Sequence, residues 1–191
     1  GGAATTNSKL LYEKLNMLKT HGITRNKKFL INKKNPKWYY EMLKLGYNYK
    51  MSDIQASLGI SQLKNIHKWI KYRELLVRKY NKGLSDLPII TPEFPKHLKS
   101  ANHLYVIQLK KNKKKVTRDS LYSKLNKLGI STNVHYIPIH THPHFQRKGI
   151  KYKNFPNANK YFKNCLSLPL YAGLSILNQK KVIKALRKIL L

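Results

Sequence analysis

Three side chains near the start of this 191-residue sequence are placed to bind something rather than only to pack: His21, Arg25 and Asn48. Asn48 sits in Gly46-Tyr47-Asn48-Tyr49, where glycine and asparagine tolerate positive φ and so mark a turn. Ser52 then offers a helix N-cap, and Gln55 follows at the capping-box spacing. A polar side chain pinned just before a helix is held still, and a neutral amide donates hydrogen bonds at low desolvation cost. An ordinary turn and helix start has the same spacing. His21 and Arg25 enter a loop after a helix, where a positive group can meet a phosphate or diphosphate. A helix-end histidine favoured by the dipole is the alternative. His140, His142 and His144 form an H-x-H-x-H run whose imidazoles would share a face if extended. Pro143 and the lack of a nearby carboxylate or cysteine argue for a surface loop instead, with no metal. The single cysteine, Cys165, excludes an internal disulfide and a cysteine-cluster metal site. It lies in an apolar run and is expected in the core.

The elements that must position these residues follow from periodicity. Gly1 to Thr6 reads as a short strand. A helix is expected over 8–20, capped by Asn7, with Leu10, Leu11, Leu15 and Leu18 at helical spacing and His21-Gly22 as its stop. A buried helix starts at Ser52, with Ile54, Ala56, Leu58 and Leu63 as its apolar faces, interrupted by Gly59. A second helix runs over about 64–84, its stripe made by Ile66, Trp69, Ile70, Leu76, Val77, Tyr80 and Leu84. Pro88, Pro92 and Pro95 place a boundary near 85–98. Beyond it comes a small α/β domain. His103–Leu109 reads as a central strand. A helix over 117–128 turns Leu121, Leu125 and Leu128 inward and stops at Gly129. A strand over 130–135, a helix over 157–164, an extended 167–171 and a last helix over 178–190 complete the chain.

Composition bounds the class. An apolar content of 41% fits a globular chain. The formal net charge is +32, from 39 basic and 7 acidic residues. Such charge suggests nucleic acid or an acidic surface. Yet 33 of the basic residues are lysines spread from Lys9 to Lys188, and only KKNKKK at 110–115 is dense. Drift in an AT-rich genome gives that pattern, and no nucleic-acid motif accompanies it. A non-catalytic, basic nucleic-acid-binding module is therefore the second reading, and specific nucleic-acid binding is not expected. No apolar run is long enough to span a bilayer, and no signal peptide is visible, so the chain is expected to be cytoplasmic and without a membrane partner.

The stretch GYNYKMSDIQASLGISQL (46–63) resembles the DegT/DnrJ/EryC1/StrS family of pyridoxal-phosphate-dependent sugar aminotransferases, and WYYEMLKLGYNYKM (38–51) resembles a subgroup of it. SANHLYVI (100–107), VHYIPIHTHPHF (134–145), FPNANKYF (155–162) and SLPLYAGL (167–174) match in order and resemble the same subgroup, the transaminases making the 4-amino sugar precursor of pseudaminic acid. The resemblance implies an α/β fold: the C-terminal part of a fold type I transferase, with the end of the large cofactor domain at 1–63, a connecting helix and linker at 64–90, and a small α/β domain at 91–191. It implies pyridoxal 5′-phosphate as cofactor, and a nucleotide-sugar substrate with an amino-acid donor, typically glutamate. It also implies a homodimer in which Asn48 reaches the partner subunit's cofactor phosphate. His135 and Tyr136 fall where the family places residues near the substrate, and both can hydrogen-bond sugar hydroxyls or diphosphate oxygens; Tyr136 packing beneath its strand is the alternative. The Schiff-base lysine of the family has no counterpart here. The chain is thus expected to supply no catalytic residue and to be inactive without an N-terminal half, which a separate reading frame can encode.

Overall fold

The computed structural model describes residues 2–95 and 97–191, and they fall into two compact units, 1–64 and 65–191. The first unit opens with helix α1 (Lys9–Leu18). Its cap is Ser8, not Asn7: the Ser8 hydroxyl accepts from the Leu11 amide at 3.3 Å. Ser8 holds the extended backbone an N-cap needs, with Thr6 Oγ1 in turn accepting from the Ser8 amide. The expected strand before it is absent: Ala3–Thr6 pairs with no strand among the described residues, and Gly1 lies outside them. No residue of α1 is buried. Strands β1 (Ile23–Thr24) and β2 (Glu41–Met42) pair antiparallel, Ile23 opposite Met42. The Glu41 carboxylate holds the loop between them by accepting from the amides of Ile31 (2.6 Å) and Asn32 (2.9 Å).

Helix α2 (Asp53–Gly83) is one uninterrupted helix of 31 residues. The two helices expected from the sequence, one from Ser52 to Leu63 interrupted by Gly59 and one over about 64–84, are thus a single helix; a glycine inside a helix costs only about 1 kcal/mol relative to alanine, too little to stop a long one. Its start is the expected capping box: Ser52 Oγ accepts from the Gln55 amide (3.3 Å) and Gln55 Oε1 from the Ser52 amide (3.0 Å). The start is not buried, however. Ile54 is 84% exposed, and Leu58 and Leu63 are exposed too.

The second unit contains residues 65–83 of α2 and a three-stranded antiparallel sheet in the order β3 (Ile89–Ile90), β4 (Tyr105–Leu109), β5 (Cys165–Leu168). β4 is central as expected, with Ile89 opposite Leu109 and Tyr105 opposite Leu168. β3 was not foreseen; it falls among the prolines read as a boundary. Helix α3 (Arg118–Lys127) buries Leu121 and Leu125, and Gly129 ends it at φ +71°. Leu128 does not turn inward: it occupies the C-cap, where the helix path ends, and is exposed. Residues 130–135 make no strand, only a single bridge between Asn133 and Ser167. A short 3-10 turn (Ile139–Thr141), α4 (Pro143–Gln146) and α5 (Pro156–Asn164) lead into β5, and α6 (Ile176–Leu190) closes the chain.

The core joins Tyr80 and Leu84 of α2, Tyr105 and Ile107 of β4, Leu121 and Leu125 of α3, Leu166 of β5 and Leu186 of α6. Tyr80 and Tyr105 stack at 4.8 Å and each hydroxyl donates, to Pro169 O (2.9 Å) and Asn81 Oδ1 (2.6 Å). Burial pushes both phenols above their ordinary range. Cys165 is fully buried, its thiol pushed up by the same cause. Among the described residues no helix is long and apolar enough to cross a membrane.

Candidate functional site

Asn48 is presented by backbone rather than by a turn. The segment Gly46–Tyr49 runs beside the end of α1: the Tyr47 amide donates to Leu18 O (2.8 Å), the His21 amide to Tyr47 O (2.9 Å) and the Tyr49 amide to Lys19 O (2.9 Å). Thr20 and Asn48 form the bridge at its centre. Neither Gly46 nor Asn48 has positive φ; the left-handed residues are His21 (φ +60°) and Gly22 (φ +72°) across from them. The expectation of a left-handed turn at 46–48 is corrected accordingly: glycine is needed at 46 because two backbones meet there. The Asn48 side chain is exposed and hydrogen-bonds to none of the described residues. Its donors therefore point out of the chain's own hydrogen-bond network and are free for an acceptor outside it, the condition a residue reaching another molecule's phosphate must meet. Tyr47 and Tyr49 stack on each other at 5.0 Å, their planes 9° apart.

His21 lies on the same loop assembly and its side chain is exposed. Its left-handed backbone follows the helix end, whose C-cap is Lys19, so Gly22 falls beyond the C′ position assigned to it. Arg25 is separate from Asn48 in its setting. Its guanidinium lies 5.7 Å from the centre of the Tyr40 ring, a cation–π distance. Arg25 also lines a cavity of about 620 Å³ with Lys14, Lys44, Tyr12, Phe29 and Glu13. Three cations, one carboxylate and two aromatic rings suit an anionic group joined to a flat or apolar body.

The second unit holds His135 and Tyr136, joined by a cis peptide bond. His135 Nδ1 and Ser167 Oγ share a hydrogen bond of 2.7 Å, which leaves Nε2 for a ligand. His135 lines a small hollow of about 160 Å³ with His103, Asn133 and Ser167. Tyr136 stands edge-on to His135 at 4.6 Å and is 72% exposed, so it does not pack beneath a strand. The H-x-H-x-H run is not extended. His140 lies in the 3-10 turn, buried; its Nε2–H donates to Asn159 Oδ1 (2.6 Å), since Asn159 Nδ2 donates to Tyr152 O (2.7 Å). Phe155 stacks on its ring at 4.6 Å. His142 and His144 are exposed around α4, and no group of metal-ligand residues gathers among the described residues.

Sequence reasoning missed Ser167, whose partnership with His135 spans 32 residues, and the meeting of Gly22 with Gly46. No local pattern announces either.

The model of the DegT/DnrJ/EryC1/StrS aminotransferase family matches residues 1–187. The Bacillus subtilis spore coat polysaccharide biosynthesis protein SpsC is 39% identical over 99% of the chain and 49% of its own length. The Campylobacter jejuni (serotype O:2) UDP-4-amino-4,6-dideoxy-N-acetyl-beta-L-altrosamine transaminase is 30% identical over 100% of the chain and 48% of its own. The chain thus spans about half the length of the curated relatives it matches. Among solved structures, Spr1654 of Streptococcus pneumoniae, assigned as a sugar aminotransferase and seen in its PLP form, superimposes with a TM-score of 0.83 at 26% identity, covering 96% of this chain and 44% of that one.

Proposed function

Because the chain belongs to the DegT/DnrJ/EryC1/StrS aminotransferase family, we propose that it is the C-terminal part of a pyridoxal 5′-phosphate-dependent sugar aminotransferase. The complete enzyme moves an amino group, from glutamate in this reading, to a nucleotide-linked 4-keto sugar in pseudaminic acid or surface-polysaccharide synthesis. The names of SpsC and of the altrosamine transaminase support the substrate class. Residues 1–63 end the cofactor domain, 64–90 connect, and 91–191 form the small domain. The enzyme works as a cytoplasmic homodimer, its N-terminal half continuous with this chain or encoded separately.

The observation that carries this reading is the Asn48 amide: exposed, unpartnered among the described residues, and fixed by three backbone hydrogen bonds, two at Tyr47 before it and one at Tyr49 after it. A neutral amide in that state can donate to a phosphate oxygen of the partner subunit's cofactor without losing a bond of its own. The cofactor supplies the electron sink for amino transfer, and the protein supplies orientation and electrostatics. His135 orients the sugar through Nε2, since Ser167 holds its Nδ1 and so fixes the ring. Tyr136 donates its hydroxyl to the sugar from an exposed position. Within the first unit, Arg25 and His21 offer charge or hydrogen bonds to a substrate phosphate. No lysine of this chain takes the place of the one that holds the cofactor, so the chain alone is inactive.

The test combines the chain with its cofactor-bearing half. The assembly should keep pyridoxal phosphate through dialysis and convert a UDP-linked 4-keto sugar in the presence of glutamate, while the chain alone does neither. Tight, single-site lysine attachment of the cofactor to the isolated chain, mapped by mass spectrometry, would overturn the assignment.

A further inference from the structure

We infer that Gly22 and Gly46 form a steric latch that sets the register of residues 46–49 on the end of α1 and so aims the Asn48 amide. Both are positioning residues. That the amide serves a cofactor phosphate rests on the function proposed above; the latch rests on geometry alone.

Three backbone hydrogen bonds join the two segments, but such bonds form equally well in a slipped register. A slip of one residue in an extended segment turns every side chain to the opposite face. It would exchange Asn48 for a tyrosine. The glycines forbid the slip. A methyl on Gly46 would overlap the Gly22 amide nitrogen and lie 2.6 Å from the His21 carbonyl carbon and 2.7 Å from Leu18 O. A methyl on Gly22 would fall on the carbonyl oxygen of Lys44, and Gly22 also holds φ +72°. The slot opposite Gly22 therefore accepts only a residue without Cβ, and the neighbours of Gly46 are Leu45 and Tyr47. Only one register closes. Thr20 secures the helix side, its hydroxyl donating toward Asn16 O (2.9 Å) and Met17 O (3.2 Å), and Leu43 N–H donates to Gly22 O at 2.9 Å to hold the incoming strand.

The test uses the full chain labelled with ¹⁵N. Hydrogen exchange is read at the Tyr47 and Tyr49 amides, and residual dipolar couplings at the Asn48 side-chain amide. Gly22→Ala and Gly46→Ala should each speed exchange at Tyr47 and Tyr49 by roughly tenfold or more and average the Asn48 couplings toward zero. Amides of Ile107 and Leu125 in the second unit, and of Met17 in α1, should keep their protection. Gly59→Ala is the control, since no heavy atom lies within 4 Å of its added methyl, and it should leave Tyr47 and Tyr49 unchanged. Asn48→Ala should also leave them unchanged. Wild-type exchange and couplings in both glycine variants would overturn the latch. Loss of protection at Met17 as well would also overturn it, because the glycines would then merely hold the unit together. In the assembled enzyme, Gly46→Ala should weaken cofactor retention, and adding it to Asn48→Ala should weaken retention no further. If Asn48→Ala alone leaves retention unchanged, the cofactor role of Asn48 fails while the exchange data decide the latch.

Discussion

Asn48 is exposed and makes no side-chain bond to the described residues, so removing its amide opens no cavity and breaks no internal contact. Asn48→Ala should leave the circular dichroism and denaturation midpoint of the chain unchanged. In the complete enzyme it should lower cofactor affinity by about ten- to a hundredfold, the worth of about 1.5–3 kcal/mol for a hydrogen bond to a charged group. Heterodimers locate the effect. A subunit with Asn48→Ala paired with one lacking the cofactor lysine should bind normally; both changes in one subunit should leave the surviving site weak. Equal affinity in the two pairings would remove the cross-subunit role. A second residue, Glu41, responds to acid. Its carboxyl is held below the usual carboxylate range by accepting from the Asn32 amide first and the Ile31 amide second. A lowered folded value means its contribution is complete above the unfolded value of about 4.3 and fades as pH falls through the lower folded one. Amide exchange at Ile31 and Asn32, corrected for its intrinsic pH dependence, should therefore quicken on acidification through that range, and Glu41→Gln should remove most of the pH dependence.

Among the elements, those specified by local chemistry were legible and those specified by partners were not. The Ser52–Gln55 capping box and the stripe through Leu76, Tyr80 and Leu84 can be read from spacing, because caps and helical periodicity involve residues within a turn of one another. β3 could not: two residues carry no period, and Ile89 is a strand only because Leu109 pairs with it. Residues 130–135 have strand-like composition but meet a partner only at Asn133. At the site, the sequence marked Asn48 and His135 but not what holds them, since Gly22 and Ser167 are distant in the chain. α3 supplies a direct contrast. Leu121→Ala should cost about 2–5 kcal/mol in a urea titration, as befits a leucine with no exposed surface, whereas Leu128→Ala, at a 57% exposed helix end, should change stability by less than about 0.5 kcal/mol. Comparable losses would mean that the exposed placement of Leu128 is wrong. Gly59→Ala should stabilise α2 by about 0.8–1 kcal/mol, since its methyl meets no neighbour.

For the whole molecule, a net charge of +32 makes some binding to polyanions unavoidable. The reading as an aminotransferase requires that this binding be without sequence preference and collapse with salt, because released counterions drive it. Titrating short duplexes of unrelated sequence from about 50 to 200 mM salt should give one common, steep slope; a sequence preference that survives at the upper end would favour the nucleic-acid-binding alternative. The two units also differ in how much apolar side chain they bury. Of the buried hydrophobic residues among those described, only Leu30 belongs to the first unit, and the others lie between Leu76 and Leu190. Trypsin turns that inequality into a gel pattern. Most proteases confound fold with sequence, because their sites are sparse. Here 39 lysines and arginines are scattered along the whole chain, so almost any segment that opens can be cut. The order in which bands vanish becomes a map of local opening: early cuts ahead of residue 65, and a lasting fragment that starts within α2 and keeps the C-terminus.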